Sequence, residues 1–125
     1  MGRGESTRRG KNVVVFPTDD VYLIFEKVTK KSVTKVTKPT PGTVPKPRQP
    51  RGFRVRQYYD IRTTAGISGK ISIRIIYDSA AQLKKEERLQ LWQQNKRWNN
   101  ITKHFNRKYH LLIGETDHFS MFGVT

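Results

Sequence analysis

Short segments in which apolar and polar residues alternate recur along the chain, separated by residues that favour turns. In the clearest segment, residues 70–77, the apolar positions are Ile71, Ile73, Ile75 and Tyr77, with Ser72 and Arg74 between them. A period of two is the period of a β-strand with one buried face. The segment is therefore predicted to be a strand whose isoleucines and Tyr77 face the core.

The same pattern predicts further strands on both sides of this segment. They lie at residues 13–16, 21–28, 28–38 and 53–62, and twice within 109–125. Lysines in the segment 28–38 favour an edge strand, because they discourage pairing between sheets. Turn-forming residues separate the strands at 17–20, 63–69 and 114–117. About eight strands with frequent turns predict an all-β fold, an antiparallel β-sandwich.

Residues 79–98 fit two interpretations. Strong helix formers between Ala80 and Trp92 favour a helix over residues 80–94. The alternative is a helical turn at 80–87, a strand at 88–92, a turn at Asn95-Lys96 and a strand that begins at Trp98. The residues themselves leave both interpretations open.

A chain of 125 residues is predicted to form a single domain. We assign that domain to residues 12–125 and a flexible basic tail to residues 1–11. Five prolines within residues 39–51 indicate an extended connection that crosses between strands. The apolar segments are too short to span a membrane, and the first ten residues lack the apolar core of a secretory signal.

Positive charge dominates the composition. The net charge is +15, from 25 Lys and Arg against 10 Asp and Glu. Between Lys27 and Arg56 there are ten basic residues and no acidic one. Such a segment attracts polyanions, for example nucleic acid or acidic polysaccharide. The candidate polyanion-binding residues are Lys27, Lys30, Lys31, Lys35, Lys38, Lys46, Arg48, Arg51, Arg54 and Arg56.

The sequence offers little for catalysis or metal binding. It contains no Cys, which excludes disulfides and thiolate chemistry. The spacings of His104, His110 and His118 match no compact metal motif. The acidic residues lie mostly at turns, and no nucleophile elbow or Gly-rich phosphate loop is present. We therefore expect a protein that is not an enzyme and uses no metal or cofactor.

Aromatic residues add a second candidate binding chemistry. Tyr58 shares a strand face with Arg54 and Arg56 by the period of two, and such a face can stack on bases or sugars. Core packing is the default expectation for an aromatic residue in a strand. Trp92 and Trp98 would support carbohydrate binding if they were exposed and coplanar.

Several motifs occur in a fixed order over residues 11–125. They are a Tyr-Tyr-Asp-Ile segment at 58–69, Tyr77-Asp78, Leu89-Gln90-Leu91-Trp92, the segment 98–102 from Trp98 to Thr102, and the segment 114–122 that ends Phe-Ser-Met-Phe. This order resembles a β-sandwich module of secreted and cell-surface microbial proteins. The last third is also distantly similar to the ZU5-type sandwich.

The resemblance implies that Trp92 and Trp98 lie on paired strands across a turn at Asn95, which favours the strand interpretation of this region. It also implies an extracellular or cell-surface location. That family is usually neutral or acidic, so the basic surface is a departure from it. The residues that carry the fold signature are Tyr59, Ile61, Tyr77, Leu91, Trp92, Trp98, Phe119 and Phe122.

Three functional hypotheses follow. The first is a non-catalytic structural or interaction module, a subunit of a larger extracellular or surface assembly whose partners are other protein subunits or further copies of itself. The second is a protein that binds nucleic acid or an acidic polymer through its basic residues. The third is a carbohydrate-binding sandwich, which requires exposed, coplanar tryptophans.

Overall fold

The protein is described by a computed structural model over residues 3–39, 57–76, 90–95, 97–106 and 108–124. These residues form eleven strands and no helix. The strands are β1 (Arg3–Thr7), β2 (Gly10–Thr18), β3 (Val21–Lys30), β4 (Ser32–Thr37), β5 (Gln57–Thr63), β6 (Gly66–Ile76), β7 (Leu91–Asn95), β8 (Arg97–Asn100), β9 (Thr102–Asn106), β10 (Leu111–Thr116) and β11 (Met121–Val124).

The strands make two antiparallel sheets that pack face to face as a β-sandwich, which confirms the predicted fold class. Sheet A has the order β1-β4-β5-β11-β7-β8, and sheet B has the order β2-β3-β6-β10-β9. Lys31 alone separates β3 in sheet B from β4 in sheet A. The chain therefore crosses from one sheet to the other at this residue.

Alternating apolar residues from both sheets form the core. Ile71, Ile73 and Ile75 of β6 are buried as predicted, and Leu23 and Phe25 of the neighbouring β3 pack with them. Sheet A contributes Ile61, Leu91 and Phe122 among others. In β2, β4 and the second half of β6, every second side chain is buried and the side chains between them face outward. In contrast, β5 and β11 bury consecutive residues, and in β5 this is because Tyr58 packs with Trp98 in a second cluster.

The N-terminal segment differs from the prediction of a flexible tail. Residues Arg3–Thr7 form β1, which pairs with β4 along its whole length. The hydroxyl groups of Thr7 and Thr34 are buried and lie 2.6 Å apart. The sequence did not predict this strand because β1 contains no large apolar residue. Pairing with β4, and not an alternating pattern of its own, stabilises β1.

The segment 28–38 is also organised differently. Residues up to Lys30 continue β3, and β4 lies between β1 and β5 in sheet A. The prediction of one edge strand is therefore wrong, since β4 has a partner on both sides. The Pro-rich connection 39–51 lies outside the described residues except for Pro39.

The described end of the helix that was one interpretation of residues 80–94 is a strand instead. Residues Leu91–Asn95 form β7, which pairs with β8, and Gln94 lies opposite Trp98. The prediction that Trp92 and Trp98 lie on paired strands is confirmed. Residues 80–89 lie outside the described part of the chain.

Two glycines predicted to lie in turns are instead in strands. Gly114 lies in β10, where an added Cβ would be 2.6 Å from Cδ2 of Leu91 in the facing sheet. Gly69 lies in β6 with a φ of +82°, at a register shift where β6 has one more residue than β3. The absent side chain allows sheets to approach closely at Gly114 and permits a β-bulge at Gly69.

The fold-signature residues divide into three groups. Tyr59, Ile61, Leu91 and Phe122 are buried in the main core, and Phe119 is half-buried against it. Trp98 is buried in a second cluster with Tyr58, and half-buried Trp92 packs on this cluster. Tyr77 lies outside the described residues.

A candidate polyanion-binding surface

The described part of the basic segment is divided between the two sheets at the β3–β4 crossing. Lys27 and Lys30 belong to β3 in sheet B, Lys31 is the crossing residue, and Lys35 belongs to β4 in sheet A. All four side chains are exposed. Within the described residues none of the four makes a salt bridge, so their charges face solvent.

Lys38 has a different environment from the other four lysines. Its Nζ lies 2.5 Å from Oδ2 of Asp20 and 5.8 Å from the centre of the Tyr59 ring. Burial raises the pKa of Asp20, but the hydrogen bonds from Lys38 and Thr18 outweigh burial and hold that pKa below its usual value. Lys38 is thus engaged within the protein, and we remove it from the candidate binding residues.

Near the crossing, each sheet has two basic residues that lie opposite each other on neighbouring strands. Lys27 lies directly opposite Lys11 of β2, and Lys35 lies directly opposite Arg62 of β5. Like charges that face each other across two strands are destabilising. Arg62 is partly compensated by the Asp60 carboxylate, 3.1 Å from its Nε. A bound anion would relieve the repulsion in both pairs.

The first pair lines a groove at one end of sheet B, with a volume of about 510 Å³. Lys11, Asn12, Lys27 and Ser68 contribute ammonium, amide and hydroxyl donors to it. The Glu26 carboxylate also lines the groove, and its Oε1 accepts a hydrogen bond of 2.8 Å from the Lys70 backbone amide. The groove thus presents two cations and two neutral donors around a carboxylate with one oxygen already engaged.

The sequence prediction missed Lys11, Arg62 and Ser68 as members of this surface. Lys11 fell in the predicted tail, and Ser68 fell in a predicted turn. Only the strand register brings Lys11 and Ser68 beside Lys27 and Arg62 beside Lys35, because the partners are separated by many residues along the chain. The other predicted residues, Lys46, Arg48, Arg51, Arg54 and Arg56, lie outside the described part of the structure.

The aromatic residues predicted as candidates for stacking are buried or half-buried. Tyr58 is 5% exposed and packs on Trp98, with the ring centres 6.0 Å apart and the planes tilted by 40°. Trp98 is 4% exposed, and Trp92 is half-buried. The tryptophans therefore do not form the exposed coplanar pair that the carbohydrate-binding hypothesis required.

The outer face of sheet B instead carries an aromatic pair, in which Phe16 is exposed and Tyr22 is half-buried. Phe16 and Tyr22 stack with their ring centres 5.0 Å apart and their planes 21° apart, and Phe16 is 55% exposed. The Arg74 guanidinium carbon lies 5.7 Å from the centre of the Tyr22 ring. Core packing was the default expectation for aromatic residues in strands, because a short alternating segment does not identify which face of the sheet is covered.

The described residues show neither a metal-binding cluster nor a membrane-spanning helix. They contain no group of three or more His, Asp or Glu side chains placed to hold a metal ion. Asp117 and His118 form an exposed pair in which the His118 hydrogen bond lowers the pKa of the Asp117 carboxyl. In the same residues, no helix has the length and apolar character needed to cross a bilayer.

Comparison with protein-family models, with curated proteins and with solved structures gives no match to this chain. The resemblance to microbial surface modules and to the ZU5-type sandwich therefore stays a prediction.

Proposed function

We propose that this protein is a non-catalytic interaction module that binds a polyanion through the basic surface at the β3–β4 crossing. The observation that carries the proposal is the placement of Lys27, Lys30, Lys31 and Lys35, all exposed and without a salt bridge within the described residues. Surface charges of both signs are usually interspersed, so four exposed lysines without a paired carboxylate among the described residues form a surface suited to an anionic partner.

The two like-charged pairs support the same proposal. Lys11 opposite Lys27 and Lys35 opposite Arg62 reduce the stability of the isolated protein. Both pairs gain favourable interactions when phosphate, sulfate or carboxylate groups lie between them. The pairs lie on different sheets, which suits a long ligand that contacts both sides of the crossing.

Retention on heparin and binding to labelled nucleic acid, each measured over a salt gradient, test the proposal. If four lysines neutralise phosphates, log K should fall with log salt with a slope of roughly −3 for a single strand. The triple variant Lys30→Gln/Lys31→Gln/Lys35→Gln should elute from heparin at clearly lower salt than the wild type.

A charge-matched variant provides the control. Lys70→Gln/Lys103→Gln/Lys108→Gln removes the same charge from other parts of the surface, where Lys70 and Lys103 lie near Glu115. It should retain most of the affinity. Equal losses in both triple variants would show that only net charge matters, and an absence of retention at low salt would refute the proposal.

A second candidate function is a subunit of a larger assembly, extracellular or at a cell surface. One observation favours it: Val14, Phe16 and Ile76 are large apolar side chains exposed on the outer face of sheet B. An exposed apolar face of this kind often marks a contact with protein. Sedimentation at increasing salt distinguishes the candidates, because apolar self-association would persist when electrostatic binding is lost.

A further inference from the structure

We infer that the outer face of sheet B binds single-stranded nucleic acid, with a base stacked on Phe16 and phosphates held in the groove between Lys11 and Lys27. This inference rests on the proposed polyanion binding and names the class of polyanion. It depends on an aromatic platform and a cationic groove that lie on the same strands.

The platform consists of Phe16, Tyr22 and Arg74. Tyr22 supports Phe16 from one side through the stacked contact, and Arg74 lies over Tyr22 and donates to its hydroxyl over 3.4 Å. Phe16 is on the edge strand of sheet B, so its ring is reachable from the side of the sandwich. A preorganised exposed ring next to a guanidinium is suited to stacking on an unpaired base.

The groove lies at the other end of the same strands. Lys11 precedes Phe16 by five residues in β2, which corresponds to about 16 Å along a strand. A single strand of a few nucleotides can span this distance while its backbone follows the sheet. Ser68 and Asn12 add hydroxyl and amide donors for phosphate oxygens beside the two lysines.

The apolar surroundings of the platform suit bases as well. Val14 of β2 lies opposite Ile24 of β3, close to Phe16. Across the sheet from Tyr22, the successive cross-strand partners are Arg74 of β6, Ile113 of β10 and the exposed His104 of β9. Bases are flat and apolar on their faces, so apolar side chains beside the Arg74 guanidinium accommodate them without sequence preference. The Glu115 carboxylate on β10 is paired with Lys70.

Two partners could cover this face, a nucleic acid or a second copy of the chain, and their charges favour the nucleic acid. Each chain carries a net charge of +15, so two copies that met through their sheets would repel each other. A nucleic acid strand carries the opposite charge and also offers the apolar faces of its bases. The same surface therefore favours an anionic partner with aromatic rings over self-association.

The test compares an oligothymidylate of about 15 nucleotides with heparin, which has the charge but no bases. Phe16→Ala should weaken oligonucleotide binding about five- to hundred-fold while heparin retention stays unchanged. Phe16→Trp keeps an aromatic ring at this position, so it should bind the oligonucleotide as tightly as the wild type does. The wild type should also bind the single strand more tightly than a duplex of the same length. Circular dichroism of each variant verifies the fold, because Phe16 is mostly exposed and outside the core.

The outcomes separate this inference from the proposed function. Equal changes in heparin and oligonucleotide binding, or no effect of Phe16→Ala on either, would overturn the stacking face and leave polyanion binding in place. Failure of the wild type to bind either probe would overturn both. A salt-resistant dimer that Phe16→Ala converts to a monomer would assign the face to self-association instead.

Discussion

Thr7 and Thr34 lie on neighbouring strands with their buried hydroxyl oxygens 2.6 Å apart, and Thr34 also donates to the hydroxyl of Thr63 over 2.9 Å. This chain of hydroxyl groups links β1, β4 and β5 on the inner side of sheet A. It holds the N-terminal strand in place without a large apolar side chain.

We expect Thr34→Val to lower the free energy of unfolding by about 1–3 kcal/mol, because it leaves the buried Thr7 hydroxyl without its nearest partner. Urea denaturation followed by tryptophan fluorescence measures the change. Thr7→Val and the double variant complete a mutant cycle, in which the double variant should cost less than the sum of the two single changes. Strict additivity would contradict an interaction between the two hydroxyl groups.

Gly69 is expected to be intolerant of any side chain. Its φ of +82° is strained for other residues, and an added Cβ would overlap the Glu26 carboxylate. Displacing that carboxylate would also break its hydrogen bond with the Lys70 amide. Gly69→Ala should therefore destabilise the protein by about 1–3 kcal/mol in thermal or urea unfolding.

Ser68→Ala is the matched control for this change, since it alters the exposed neighbouring residue without requiring a positive φ. Its stability should stay within about 0.5 kcal/mol of the wild type. A Gly69→Ala variant as stable as the control would show that β6 can pair with β3 without the bulge.

The Lys35–Arg62 pair predicts opposite effects on stability and binding. Lys35→Glu places a carboxylate opposite Arg62 in the cross-strand position, so it should raise the unfolding free energy by about 0.2–1 kcal/mol. The same change should weaken heparin binding, because it removes one cation and adds an anion. Lys35→Gln should show a smaller loss of binding and a smaller gain in stability. Reduced stability of Lys35→Glu would show that the facing charges do not interact.

Asp20 should make stability depend on pH in the acidic range. Burial raises its pKa, but the Lys38 and Thr18 hydrogen bonds and the Lys38 charge hold the pKa in the folded state below the usual 3.8. Its stabilisation is therefore complete above pH 3.8 and is lost as the pH falls through the lower folded-state pKa. Solvent exposure keeps the contribution small.

Unfolding free energies measured from about pH 6 to pH 2 test this dependence, with Asp20→Asn as the comparison. The difference between wild type and variant should be constant above pH 3.8 and shrink below it. A difference that grows on acidification would mean that the carboxyl is stabilised in its protonated form.

Local sequence patterns predicted much of the sandwich, and the reasons are physical. The isoleucines of β6 alternate with polar residues, so the period of two and the buried face were readable without a structure. The β7–β8 pairing was open from the residues alone, because helix formers cover part of the same region. The exposed lysines of the candidate site were also identified from the sequence, since charge needs no partner to be recognised.

The sequence by itself determined the all-β class, the buried face of its clearest strand and the excess of positive charge. The tertiary structure decided that Arg3–Thr7 pair with β4, that Lys11 faces Lys27, and that Lys38 is engaged by Asp20. It also decided that Tyr58 is buried whereas Phe16 is exposed. These relationships depend on strand order and register, which join residues far apart in the chain and are set by the packing of two whole sheets.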